Sequence, residues 1–169
     1  CMWMIKNIIE SITALLFPTY CFVCTSATQS DPLCQICLTS FQKSISTPYP
    51  FITSLYSYKD TSVRRCVHAI KYFHRKDLIV PFAHEIAKEI NHINANQDYI
   101  LVPIPMPLVR KLSRGYNQAE ILAKHVASIT TLSCNLNILK DKHRYVGKRQ
   151  VSSNGKRTRI TNKLGAYMV

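Results

Sequence analysis

Apolar residues recur at helical spacing in four stretches of the chain. In residues 4–17, Ile5, Ile8, Ile9, Ile12, Leu15 and Leu16 fall on one side, which predicts an amphipathic helix within residues 1–17. Lys6 and Glu10 interrupt its apolar run, so this helix is expected to dock on the protein's own core rather than on a membrane. Val63, Val67 and Ile70 mark a second helix, with Asp60, Thr61 or Ser62 as its cap and Arg64, His68, Lys71 and Arg75 as a basic stripe on the opposite side. That stripe reads equally well as a solvated face and as a phosphate-facing surface. Ile79, Phe82, Ala83, Ile86, Ile90 and Ile93 continue the pattern over residues 78–93. Ala119, Leu122, Ala123, Val126 and Ala127 give a fourth helix over residues 117–129.

Two segments follow strand patterns instead. Residues 51–58, entered through the Pro48 and Pro50 linker, place Leu55, Tyr56 and Tyr58 as a half-buried strand would. Tyr99-Ile-Leu-Val-Pro103 is a short apolar run of the kind found in buried parallel strands, and Pro103, Pro105 and Pro107 end it abruptly. Helix, strand, loop and helix in this order predict an open α/β sheet. In such sheets ligands gather beyond the carboxyl ends of the strands, which is where a loop over residues 103–117 would lie.

Charge narrows the partners. The 169 residues carry a formal charge of +13, and the isoelectric point lies near 9.6. Residues 140–169 hold nine Lys or Arg against Asp141 alone. A balance of this kind points to nucleic acid or phosphorylated small molecules. No run of about 18 apolar residues exists, so no membrane span is expected. No Ser-His-Asp set or paired catalytic carboxylates emerge, and His68, His74 and His125 lack metal spacing. Cys66 and Cys134 fall among apolar neighbours, as core thiols do.

The remaining chemistry is concentrated in two places. Cys21-x2-Cys24 and Cys34-x2-Cys37 form two knuckles separated by a short polar loop, and together they predict one tetrahedral four-thiolate zinc site. A closed thiolate shell leaves no open position, so this zinc is structural. Disulfides are the alternative, but seven cysteines is an odd number and no secretory signal is visible. Reduced thiols place the protein in the cytoplasm. The second place is the loop containing Arg110, Lys111, Arg114, Gly115, Asn117 and Gln118, between a strand end and a helix N-terminus, where backbone N–H groups favour an anion. Gly115 would allow close backbone approach, Asn117 would cap the helix, and Gln118 would face a ligand.

In order along the chain, the Cys-x2-Cys pairs, Ala69-Ile-Lys-Tyr-Phe73, Leu101-Val-Pro-Ile-Pro105, Arg114-Gly-Tyr-Asn-Gln118, Gln150, Arg159-x2-Asn162 and Gly165-Ala-Tyr167 resemble the ComF family of phosphoribosyltransferase-like proteins. The resemblance implies a zinc-ribbon-like module over residues 18–42, after the helix of residues 1–17. It further implies an incomplete type I phosphoribosyltransferase-like domain over residues 51–169. The usual ligand of that fold is 5-phosphoribosyl pyrophosphate with Mg2+, and the family is linked to competence and to the handling of incoming single-stranded DNA. By motif match, Arg114, Gly115, Asn117 and Gln118 would lie beside the phosphosugar pocket. Arg144, Lys148, Arg149 and Gln150 would correspond to a mobile basic lid. Two departures stand out. Gly147 replaces the Thr expected three residues before Gln150, and no adjacent acidic pair or Thr-Thr-Gly loop occurs anywhere in the sequence.

The chain, which begins at Cys1, therefore reads as a gene fragment, the N-terminal portion of a ComF-like protein. Its complete form is expected to bind phosphoribosyl pyrophosphate, and transferase turnover is not expected of these 169 residues. Two alternatives stay open: a basic module for single-stranded nucleic acid, and a zinc-stapled scaffold without enzymatic activity for a competence or helicase partner.

Overall fold

A computed structural model of the protein describes residues 19–44, 51–93, 99–141 and 167–168. The helix expected within residues 1–17, the Pro48 and Pro50 linker, the basic lid at Arg144, Lys148, Arg149 and Gln150, and the Arg159-x2-Asn162 motif lie outside the described residues. The described part combines helices with small two-stranded sheets. Contacts along the chain divide it into two compact units, Cys1–Glu85 and Ile86–Val169.

The first unit opens with a hairpin. β1 (Thr19–Tyr20) pairs antiparallel with β2 (Ala27–Thr28), Thr19 opposite Thr28. Two-residue strands carry little pairing energy, so side chains add to it: the Thr28 and Thr19 hydroxyls lie 3.1 Å apart, and Thr28 also donates to the Asp31 carbonyl at 2.7 Å. A short helix follows, α1 (Gln35–Ser40), which buries Cys37 and Leu38. Immediately after it the buried Phe41 ring meets Tyr56 edge-on at 5.4 Å and stacks on Phe82 at 6.3 Å. Edge-on and offset aromatic pairs contribute about 0.5–1.5 kcal/mol beyond their buried area. The Tyr56 hydroxyl donates to Glu85 Oε2 at 3.3 Å, and Lys43 Nζ lies 4.7 Å from the Tyr56 ring centroid.

α2 (Thr61–Tyr72) forms where the periodicity predicts it, and Asp60 is the cap. One Asp60 oxygen accepts from the N–H groups of Ser62 and Val63 at 2.7 and 3.2 Å, and the other accepts from Gln42 N–H at 2.8 Å. The same carboxylate thus starts the helix and ties it to the segment leaving α1. α2 buries Val63, Cys66, Ala69 and Ile70 and leaves Arg64, Arg65 and His68 exposed. The fully buried Cys66 thiol is pushed up to about 11, burial being the main cause, so it is an inert core thiol as expected. His74 adopts a left-handed φ of 55° just past the helix, and Arg75 then grips Asp77 through Nε and Nη2, one edge of its guanidinium, at 2.7–3.1 Å. A 3-10 turn, Lys76–Leu78, leads directly into α3 (Ile79–Ile93).

Residues 51–58 do not form the expected strand. Phe51 and Ile52 are exposed, and among the described residues pairing is limited to one bridge between Lys43 and Tyr56, flanked by Ser44 N–H to Leu55 O and Ser57 N–H to Gln42 O. On the Gln42 side the ladder stops because that N–H is taken by Asp60.

In the second unit, β3 (Ile100–Leu101) pairs in parallel with β4 (Ser133–Cys134), and Asn135 N–H continues the ladder to Leu101 O at 2.9 Å. Parallel pairing needs a crossover, which two helices supply: α4 (Leu108–Arg114) and α5 (Gln118–Ile129). The parallel sense and the fourth helix agree with the sequence pattern, but the strand is not the buried one expected: Tyr99 and Ile100 are exposed, because β3 has only the two-residue β4 beside it among the described residues. α4 also departs from the pattern, because residues 103–117 read as an unbroken loop. Pro107 explains the difference: its carbonyl accepts from Arg110 and Lys111 N–H at 2.9 and 3.0 Å, so a proline that ends the strand also opens a helix. β5 (Lys140–Asp141) pairs antiparallel with β6 (Tyr167–Met168). Among the described residues the strands thus form separate pairs rather than one broad sheet.

Candidate metal centre and basic loop

The first knuckle is the turn of the β1–β2 hairpin. Cys21 N–H bonds to Ser26 O and Thr25 N–H to Cys21 O, both at 2.9 Å, which folds the turn back so that the Cys21 and Cys24 sulfurs face the same side. Thr25 takes a left-handed φ of 61° to close it, a conformation that costs a β-branched residue. The second knuckle uses a helix start instead. Cys34 occupies the N-cap of α1, and Cys37 N–H points at Cys34 Sγ at 3.4 Å. Phe22 N–H to Pro32 O at 2.8 Å joins the two knuckles.

These turns bring all four sulfurs, of Cys21, Cys24, Cys34 and Cys37, within 4.8 Å of one another. Cys24 and Cys34 are 3.6 Å apart. Tetrahedral metal–thiolate bonds of about 2.3 Å place sulfurs about 3.8 Å apart, whereas a disulfide requires about 2.05 Å. All described cysteines are free. The four are positioned to bind a metal ion, as their spacing predicts.

Their electrostatics are unequal. The exposed Cys24 thiol is lowered to about 6, chiefly by the Ser26 hydroxyl 3.3 Å away and the Ser26 backbone. Burial raises the Cys21 thiol, but backbone N–H groups of Cys24, Cys34 and Val23 outweigh it and the net shift is downward. Cys37 is pushed well up by burial and by the neighbouring thiols. A metal binding here would displace the proton that Cys37 retains. From the sequence Ser26 reads only as part of the compact turn between the cysteine pairs, and a hydroxyl two residues past a Cys-x2-Cys pair is the signal for its contact with Cys24.

In the second unit, Arg110, Lys111 and Arg114 all lie on α4. Lys111 Nζ pairs with Glu120 at 3.0 Å, and Arg114 Nη1 donates to Gln118 Oε1 at 2.6 Å. Gly115 ends α4 at φ 79°, its N–H on Lys111 O at 2.7 Å. A Cβ at Gly115 would meet nothing within 4 Å, so it is the left-handed C-cap, and not close approach, that requires glycine. Asn117 is buried, and its side chain works in two directions. Its Oδ1 accepts from Ala119 N–H at 3.0 Å, capping α5 as predicted, while Nδ2 donates to Ile104 O at 3.0 Å. Glu120, which holds Lys111, went unremarked in the sequence because nine residues and a helix break separate the pair. Tyr116 is buried and its phenol is raised by that burial.

The metal cluster and the basic loop belong to different units. No helix among the described residues is long and apolar enough to cross a membrane. Comparison of the chain with family models, with curated proteins and with solved structures finds no match.

Proposed function

We propose that this chain is a ComF-like protein of the phosphoribosyltransferase, or glycosyltransferase, family, with a structural zinc ion on Cys21, Cys24, Cys34 and Cys37. The loop carrying Arg110, Lys111, Arg114, Gly115, Asn117 and Gln118 is its phosphosugar side, and a protein with the full pocket binds phosphoribosyl pyrophosphate with Mg2+. The observation that carries the reading is the position of Arg114-Gly-Tyr-Asn-Gln118 in the crossover after the parallel strand β3: it ends α4 at Gly115 and opens a second helix, α5, at Asn117. Helix N-termini after parallel strands favour anions.

The residue types suit the chemistry. Displacing pyrophosphate from a sugar anomeric carbon builds negative charge on the leaving group, so cations aimed there in advance lower the barrier. Arg114, held by Gln118, is such a cation. Magnesium would supply further charge neutralisation when bound. Because the sequence holds no adjacent acidic pair and no Thr-Thr-Gly, turnover by these 169 residues is not expected. Cytoplasmic handling of single-stranded DNA with competence or helicase partners is the cellular role that the same reading carries.

Zinc content and calorimetry test it. Purified protein should retain one zinc per chain after dialysis, and Cys37→Ser should lose it. Phosphoribosyl pyrophosphate titrated with Mg2+ should bind a chain extended to carry the full pocket, and Arg114→Ala in that chain should weaken it about tenfold or more, the loss typical of a charged hydrogen bond. A metal-free protein that stays folded overturns the zinc assignment. Binding unaffected by Arg114→Ala overturns the loop's role.

A further inference from the structure

On α2, two adjacent ridges run along the helix at four-residue spacing: Arg64, His68 and Tyr72 form one, and Arg65, Ala69 and Phe73 the other. Ala69 is the small member, and over it the surface opens into a groove of about 330 Å³. Phe22 from the first knuckle and Tyr58 from the segment before the helix complete its walls, with Arg64, Arg65, His68 and Phe73. Among the described residues no carboxylate lines it.

Two features separate this groove from ordinary surface. Its aromatic rings are strongly exposed, Phe73 at 67% and Tyr58 at 57%. A single exposed ring is unremarkable, but here they border one concavity together with two arginines. The cations are also arranged in advance. Phe22 has the Arg65 guanidinium 5.7 Å and the Arg75 guanidinium 5.1 Å from its ring centroid, which fixes Arg65 beside the groove. Arg75 is spent on Asp77, whereas Arg64 and Arg65 form no ion pair among the described residues. His68 leans on Tyr72 at 4.5 Å and on Phe73 at 5.7 Å, holding the wall upright.

Flat apolar faces beside unpaired guanidinium groups match one ligand chemistry, a planar base carrying a phosphate. We propose that this groove is a nucleotide site, taking the base against Phe73 and Tyr58 and the phosphate on Arg64 and Arg65. The volume lies at the lower end of small-ligand sites and suits a single nucleotide unit. That unit is either a free nucleotide or one residue of a single strand, since stacking with cations serves both. The groove and the loop proposed for phosphoribosyl pyrophosphate belong to different units.

The test uses the full chain, purified with its metal, and three probes: AMP, ribose 5-phosphate and an oligothymidylate of about fifteen nucleotides. Calorimetry or anisotropy at low salt should detect AMP, the oligonucleotide or both, with ribose 5-phosphate far weaker. AMP binding identifies a free nucleotide as the ligand, and binding of the oligonucleotide alone identifies a strand. Phe73→Ala should weaken whichever binds by roughly fivefold to a hundredfold, the range found when a stacking aromatic is removed, and Phe73→Tyr should restore it. Arg64→Ala should reduce the salt slope for the oligonucleotide by about one phosphate contact. Circular dichroism and metal content should match across the variants, as expected for exposed positions. Failure of both nucleotide probes to bind, ribose 5-phosphate binding as tightly as AMP, or a Phe73→Ala protein that binds as before would each overturn the proposal. Phosphoribosyl pyrophosphate binding is scored separately with Arg114→Ala, so either reading can fail alone.

Discussion

Asp60 and Thr25 show how much single residues decide here. Asp60 holds three backbone N–H groups from two segments. Its carboxyl lies below the usual range, first because of Gln42 N–H and then because of the helix start, against the opposing effect of burial. A depressed folded-state value means the stabilisation is present above the ordinary carboxylate range near pH 4 and is lost as pH falls through the folded value. Asp60→Ala should therefore cost about 0.5–2 kcal/mol in urea unfolding at pH 7. Its difference from wild type should shrink on acidification below about pH 4. Thr25 carries the opposite defect, a β-branched residue at positive φ. Thr25→Gly relieves about 1–2 kcal/mol and loses part of that to chain entropy, so a gain on the order of 0.5–1 kcal/mol is expected, read as a raised melting temperature of the metal-loaded protein. The aspartate cap was visible in the sequence because a cap acts on its own neighbours. The bond to Gln42, from 18 residues earlier, was not.

At the level of elements, legibility followed length. Three helices with three or more periodic apolar positions, α2, α3 and α5, form where their spacing predicts. The strand expected over residues 51–58 is reduced to a single bridge among the described residues, because a strand is completed by a partner and the pattern of one segment does not reveal what pairs with it. α4 was hidden by its flanking prolines. It also shows an exposed apolar side at Leu108, Val109 and Leu112, so there was no buried face to generate a periodic signal. The junction between α4 and α5 rests on Asn117. Asn117→Ala removes the cap of α5 and the donor to Ile104, and should destabilise by about 1–3 kcal/mol. Asn117→Asp keeps the cap acceptor but sets a carboxylate oxygen against the Ile104 carbonyl and Glu120, so at pH 7 it should destabilise at least as much as Asn117→Ala in the same unfolding experiment.

For the molecule as a whole, the sequence shows a metal module over residues 18–42, yet the contacts do not stop there. Phe41 packs on Tyr56 and Phe82, Asp60 holds Gln42, and Phe22 lies under two arginines of the α2 region. Loss of metal should therefore propagate beyond the knuckles. Hydrogen exchange after chelation should speed up in residues 19–44 and also through residues 56–82, while residues 99–141 keep their protection. Acceleration confined to residues 19–44 would mean the aromatic cluster holds without the metal. The four cysteines were legible because metal ligation imposes a spacing. Their dependence on Phe41 and Tyr56 was not, since aromatic packing leaves no fixed interval in the chain.

The paired hydrogen bonds between residues 42–44 and 55–57 have a practical consequence. Ser44 N–H to Leu55 O at 3.1 Å and Ser57 N–H to Gln42 O at 2.8 Å clamp the two ends of the intervening segment, and residues 51–54 are exposed. Lengthening a segment whose ends are already clamped costs only about 0.6 kcal/mol per doubling. A tag or dye-binding peptide inserted after Thr53 should thus leave fold and metal content unchanged, giving a permissive attachment point for tethering the protein to a surface.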